Sequence, residues 1–283
     1  MLTPAQLERV DIARMNLLCA ARLPGSEGVS VPAVLAKLDA WAVAVHLETE
    51  RHVYRATDPR YAEHYRHSEN YLRAEFLLQT LQEKCGVSYN PQSIHSPSFA
   101  DSRDAFLHGL TERASGGTCA SMPVLYVAIA RRLGYPLALV QTRGHLFCSW
   151  DDAGGVRFNI EGTNGFSSCP DELHQTWPYG LSDEQLASRE YLVSLTPAEA
   201  LAAFMAARGH CLMDLHRYAE AAQAYGEMVR LAPSFKVHAK FLAMAQLAAE
   251  QGSAELERVD GRMPDRLDPP PPPKYGKSAG GGP

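Results

Sequence analysis

The stretch Gly116-Gly117-Thr118-Cys119-Ala120-Ser121-Met122-Pro123 constrains this chain more than any other. Two glycines allow the backbone a tight turn. An apolar helical run from Val124 to Leu133 follows, stopped by Gly134 with Pro136 just beyond. Cys119 is therefore expected where a loop becomes the first turn of a helix. A helix N-terminus carries partial positive charge and unpaired N–H groups. Both favour a thiolate, which makes Cys119 a candidate nucleophile. The same stretch also suits a small buried cysteine, the usual fate of a free thiol, and it does not decide between the two.

Composition removes several classes of function. With 283 residues the chain can bury a sizeable core in one or two domains. Its net charge is −5 and no dense basic run appears, which argues against nucleic acid or an anionic membrane as partner. No apolar run reaches the ~18 residues of a membrane span. The segment Met1-Leu2-Thr3-Pro4-Ala5-Gln6 has no basic start before an apolar core, so no signal peptide is expected. The six cysteines, Cys19, Cys85, Cys119, Cys148, Cys169 and Cys211, form no CxxC pair and read as free thiols of a cytoplasmic protein. No cofactor motif is present. His145 and Cys148 would face opposite sides of a strand and make a poor metal pair. His46, His52, His64 and His67 lack an HExxH pattern and read as surface residues, so no metal site is expected.

Thr3-Pro4-Ala5-Gln6 opens a helix whose apolar spacing continues through Leu7, Val10, Leu17, Leu18 and Ala21 to Pro24-Gly25. A second helix is expected from Ala33 to about Glu50 and a third from about Ser68 to Lys84. Residues 86–117 read mostly as loop, with a short helical candidate at Ser102–Glu112. Three strands follow at Leu137–Gln141, Leu146–Trp150 and Val156–Ile160, the last two joined by a hairpin turn at Asp151–Gly155. An antiparallel sheet packed on the Cys119 helix is the economical assembly. Ser182-Asp183-Glu184-Gln185 and Thr196-Pro197-Ala198-Glu199 open further helices, and from 196 to about 251 the chain reads as all helix. The tail from about 262 carries Pro269–Pro273 and three glycines after Ser278; it lacks the apolar residues to fold.

Thiol-based acyl transfer needs a nucleophile, a base and a group that orients the base. Cys119 offers the first. His145, at the start of a strand, offers the second. Glu161 ends the next strand, where hairpin pairing would set it beside His145 at about 5 Å between Cβ atoms. Trp150 and Trp177 could wall a substrate groove, but core packing is the better reading. The residue completing an oxyanion hole is open: the Cys119 backbone N–H is a natural donor, and Asn90 and Gln92 are further candidates.

The runs Gly-Thr-Cys-Ala-Ser-Met-Pro-Val-Leu-Tyr-Val-Ala from 117, Arg-Arg-Leu-Gly-Tyr-Pro from 131, Gly-His-Leu-Phe from 144 and Asn-Ile-Glu-Gly-Thr-Asn-Gly from 159 resemble the bacterial transglutaminase-like superfamily. The resemblance covers roughly residues 70–195. It implies a papain-like core with Cys119 as nucleophile, His145 as base and Glu161 in the position of the acid. The family commonly has Asp-Pro-Thr where this chain has Glu161-Gly162-Thr163, so the acid is one methylene longer. In a second resemblance, Arg217–Tyr225 with Pro233, and Gly209 before it, look like a tetratricopeptide repeat, and Phe235–Glu250 like the first helix of another. About one and a half units are too few for a free-standing solenoid.

The expected architecture is α+β: a helix bearing the cysteine, packed on an antiparallel sheet, with helical N-terminal and C-terminal regions. Four parts are expected: a helical region 1–68, a transglutaminase-like core 69–195, tetratricopeptide-like helices 196–252, and a disordered tail 253–283. The expected activity is acyl transfer or hydrolysis at an amide or peptide carbonyl by Cys119, His145 and Glu161, without a cofactor or metal. The substrate class is a protein or peptide; the C-terminal helices are read as a structural extension packed on the catalytic domain, with a surface for a peptide or partner protein as the other reading. The alternative is a scaffold of the same fold without catalysis.

Overall fold

The computed structural model describes residues 3–90, 99–112, 116–152, 155–162, 166–188 and 190–251. The proline- and glycine-rich tail, Gln92 and Thr163-Asn164-Gly165 lie outside the described residues.

Capping residues set most helix starts. Helix α3 (Val31–His52) is capped by Ser30, whose side chain accepts from the Ala33 amide. Helix α4 (Glu69–Glu83) is capped by Ser68 in the same way. The long N-terminal helix expected from sequence is instead two short ones, α1 (Pro4–Leu7) and α2 (Ile12–Cys19). Asp11 breaks the run: its carboxylate accepts from the Arg14 amide at 3.0 Å and caps α2. The candidate at Ser102–Glu112 divides likewise into a 3₁₀ turn, Ser102–Asp104, and helix α5 (Leu107–Glu112).

Helix α6 (Met122–Arg132) is the centre of the molecule, with every residue from Met122 to Ala130 buried. Against it lies a sheet of three antiparallel strands in the order β1 (Leu137–Thr142), β2 (His145–Asp151) and β3 (Arg157–Ile160). The β1–β2 hairpin is tight: Thr142 pairs with His145, leaving Arg143 and Gly144 to make the turn. Between β2 and β3, Cys148 pairs with Ile160 and Asp151 with Arg157. Cys148 also donates its thiol hydrogen to the Pro123 carbonyl at 3.2 Å, tying sheet to helix.

Two short helices, α7 (Asp171–Thr176) and α8 (Asp183–Ser188), follow the sheet. Then α9 (Pro197–Asp214), α10 (Tyr218–Leu231) and α11 (Lys236–Gln251) pack in sequence. Thr196 and Glu199 form a reciprocal capping box at the start of α9. Gly209 lets α9 approach α10: a Cβ there would lie 2.2 Å from the Tyr225 ring. Helix α9 also packs on α1 and α2, and Arg208 donates to the Cys19 carbonyl at 2.8 Å. One contiguous apolar core therefore runs from Leu7 to Ala248. A smaller cluster of Ala56, Tyr65, Leu72 and Phe76 sits beneath the turn after α3. Among the described residues no helix is long and apolar enough to cross a membrane.

Candidate active site

The cysteine turn is built by its neighbours. Gly116 has φ +88°, and a side chain there would press on the Ser88 carbonyl oxygen at 2.6 Å, so glycine is required on both counts. The Gly117 amide donates to Ser88 O and the Asn90 amide to Gly117 O, each at 2.8 Å, which stitches the turn to the segment 88–90. Thr118 takes up the slack: its hydroxyl donates to the Asp104 carbonyl at 2.7 Å and accepts from the Ala120 amide at 3.1 Å. The first helical hydrogen bond, Met122 N to Thr118 O at 2.9 Å, spans Cys119. The helix proper starts at Met122 with Ser121 as its cap. Cys119 thus lies in the turn that feeds the helix, two residues ahead of the cap rather than in the first turn.

His145 begins β2 and is 8% exposed. Its Nε2 lies 2.8 Å from Glu161 Oε2, and the imidazole also hydrogen-bonds Cys119. Burial alone would discharge this ring. The charge of Glu161 and the hydrogen bonds to Cys119 and Glu161 outweigh it and hold the imidazolium up to about 10. The second oxygen of Glu161, Oε1, accepts from the Gly162 amide at 3.1 Å. Three residues that sequence places in helix-turn, strand and strand contexts therefore meet.

Their route to meeting differs from the expected one. Continuing the register of β2 and β3 sets Glu161 opposite Phe147, not His145. His145 and Glu161 are thus diagonal neighbours on one face. Regular pairing with β2 ends at Ile160, and Glu161 pairs instead with Ser167 through amide–carbonyl bonds of 2.9 and 3.0 Å. The longer acid side chain spans the diagonal.

Aromatic groups surround the ring. Trp177 stands edge-on to His145 with centroids 4.7 Å apart. Phe147 lies near-parallel to it at 6.2 Å and stacks on His174 at 3.8 Å. His174 is fully buried, and among the described residues neither ring nitrogen has a hydrogen-bond partner. Burial lowers it to about 4, against the pull of Glu161 and with the push of His145. Sequence reading passed over His174: it sits on α7, a six-residue helix with no capping side chain and no apolar period. Its one signal is a histidine three residues before a tryptophan, which carries no weight alone.

Cys119 is half-buried and lines a narrow cleft bounded by Tyr89, Tyr126, Leu146, Glu161 and Gly162. Burial raises the Tyr89 phenol, whose oxygen takes a hydrogen bond from the Cys119 backbone amide. Asn90, 8% exposed, is the next residue along. Cys19, Cys148, Cys169 and Cys211 are buried, and Cys85 is half-buried. Burial pushes the Cys19 thiol up to about 12 and raises Cys85, Cys148 and Cys169. The outlying histidines pair with carboxylates, His64 with Glu75 at 2.9 Å and His67 with Glu63 at 3.4 Å.

A family model for the transglutaminase-like superfamily matches residues 32–205, well over half of the chain. The chain belongs to this superfamily. No curated protein and no solved structure matches it. The superfamily span takes in α3, all three strands and the first half of α9. Within that span, residues of α6, β2 and β3 line the cleft beside Cys119.

Proposed function

We propose that this transglutaminase-like protein performs thiol-dependent acyl transfer or hydrolysis at a carboxamide or peptide carbonyl. The observation that carries the proposal is the position of His145, hydrogen-bonded to Cys119 on one side and to Glu161 at 2.8 Å on the other. In this reading the imidazolium of His145 stabilises negative charge on Cys119 Sγ. The thiolate attacks the carbonyl carbon, and His145 passes its proton to the leaving amine. Water or a second amine then attacks the thioester, with His145 as base. Glu161 keeps the ring oriented and its charge compensated.

The Cys119 amide is the natural oxyanion donor. In the free protein it engages the Tyr89 hydroxyl, so a substrate carbonyl would take the place of that oxygen. The cleft at Cys119 is narrow, walled by Tyr89 and Tyr126, and suits entry of a single carbonyl on a side chain or extended backbone of a peptide or protein. We assign α9–α11 to a tetratricopeptide-like extension with a structural role, supported by the packing of α9 on α1 and α2. A non-catalytic scaffold drew its support from Glu161 in place of Asp, and that support weakens because Glu161 reaches His145.

Limiting iodoacetamide at mildly acidic pH, followed by peptide mapping, tests the assignment. An unperturbed thiol near pH 6.5 is only about one percent ionised. Cys119 should be alkylated first, ahead of half-buried Cys85, and His145→Ala should abolish the preference. Equal rates for Cys119 and Cys85, unchanged in His145→Ala, would replace catalysis with the scaffold reading.

A further inference from the structure

His174 has no use in the reaction just described, yet it is the most conspicuous polar group near the site. Buried polar atoms nearly always find partners. Among the described residues both nitrogens of His174 lack one, although the residue is fully buried. Its ring is held in place by the stack on Phe147 at 3.8 Å and 10°, and its carbonyl by the Thr142 hydroxyl at 2.6 Å. Ligand atoms of His145, Glu161 and His174 all lie within 4.8 Å of one another. Two imidazoles and one carboxylate are a donor set that zinc and its first-row neighbours favour.

We propose that His145, Glu161 and His174 form a binding site for a divalent transition metal ion, zinc(II) in the first instance, whose occupancy silences Cys119. Ligand atoms around a tetrahedral zinc stand ~3.4 Å apart, given metal–ligand bonds of about 2.0–2.2 Å. The His145–Glu161 pair at 2.8 Å would open slightly, and His174 would close in. The ion takes the place of the proton held between His145 Nε2 and Glu161 Oε2. Two bonds to nitrogen and one to oxygen form, hydration waters leave, and one proton goes to solvent for each ion bound. An imidazole bound through Nε2 keeps its Nδ1 hydrogen and gives it up only as imidazolate. It can then neither accept the Cys119 proton nor deliver one to a leaving amine. Binding follows from the geometry alone; silencing rests on the function proposed above.

Cobalt(II) is the probe, titrated into the full chain. One equivalent should bind, with visible d–d bands but no thiolate-to-cobalt charge-transfer band, and zinc(II) should displace it. His174→Phe keeps an aromatic ring against Phe147 and removes both nitrogens, so affinity should fall by about tenfold or more. Should that variant lose its native circular dichroism, Glu161→Gln replaces it with the same expectation. Cys119→Ala should bind cobalt unchanged. A charge-transfer band that vanishes in Cys119→Ala, or affinity indifferent to both His174→Phe and Glu161→Gln, overturns the site. Stoichiometric zinc(II) should slow alkylation of Cys119 about tenfold or more in the wild type, reversibly with a chelator. Nitrogen–oxygen binding without that slowing overturns the silencing. Loss of Cys119 preference in metal-free protein would instead count against the catalytic reading.

Discussion

At the scale of single residues, the length of Glu161 matters more than its type. Diagonal neighbours in a sheet are separated by about 7–8 Å, against about 5 Å for a direct pair. Removing one methylene withdraws the carboxylate by ~1.5 Å, enough to lose the 2.8 Å contact with His145. We expect Glu161→Asp to cut the alkylation preference of Cys119 over Cys85 about tenfold, in line with a lost charge-assisted hydrogen bond. Glu161→Gln keeps the contact without the charge and should cost less. Peptide-resolved rates for the two variants check this, and a Glu161→Asp protein as reactive as the wild type would refute it. The identity of the three residues was legible because Cys119, His145 and Glu161 each follow a recognisable local pattern of glycine turn, strand start and strand end. The diagonal was not, because register depends on where β3 leaves the sheet. His174 was illegible for a related reason: its setting is a stack with Phe147 that forms only in three dimensions.

At the scale of elements, small residues decide which helices can touch. Gly209 of α9 faces Tyr225 of α10, which is fully buried, accepts or donates through its hydroxyl to His210 Nδ1 at 2.7 Å, and stacks on Phe241. Little room exists for that ring to move. Helix propensity favours alanine over glycine by roughly 1 kcal/mol, but overpacking a filled core costs about 1–3 kcal/mol. Gly209→Ala is therefore expected to destabilise by up to about 2 kcal/mol, seen as a lower urea midpoint at unchanged slope. A gain in stability would mean that α9 and α10 are held less closely. The helix placed from Ala33 begins at Val31 behind a Ser30 cap, whereas the threonine cap at Thr196 and the start near Ser68 were readable in sequence. The break at Asp11 was not, since apolar spacing runs straight across it and only the side-chain contact to the Arg14 amide reveals the second start. Helix α7 has neither cap nor period to announce it.

At the scale of the whole molecule, buried histidines shape the response to pH in opposite directions. His145 is raised from 6.5 to about 10. The native state then holds a proton that the unfolded chain releases, so its contribution is complete below about 6.5 and is lost as pH climbs toward 10. His174 and His238 are lowered from 6.5 to about 4. There the unfolded chain binds the proton first, and stability falls as pH drops from about 6.5 to 4. We expect a stability maximum near pH 6.5, with midpoints falling on both sides in buffered urea titrations. His145→Gln should flatten the limb between pH 6.5 and 8, before the buried thiols of the unfolded chain begin to ionise. An unchanged limb would show that His145 carries no charge in the native protein. Net charge and composition, which read the chain as a sizeable folded core, say nothing of this balance, because it depends on which histidines the core encloses. The contact of α2 with α9 has a consequence in time. Cys19 meets Met205 at 3.8 Å, 186 positions later in the chain. At a ribosomal pace of about 5–20 residues per second, the N-terminal helices emerge on the order of ten to forty seconds before the surface that covers them. Until then Cys19 lacks part of its native cover, so a newborn copy of this protein depends on the arrival of α9, or on a chaperone, to stay out of aggregates.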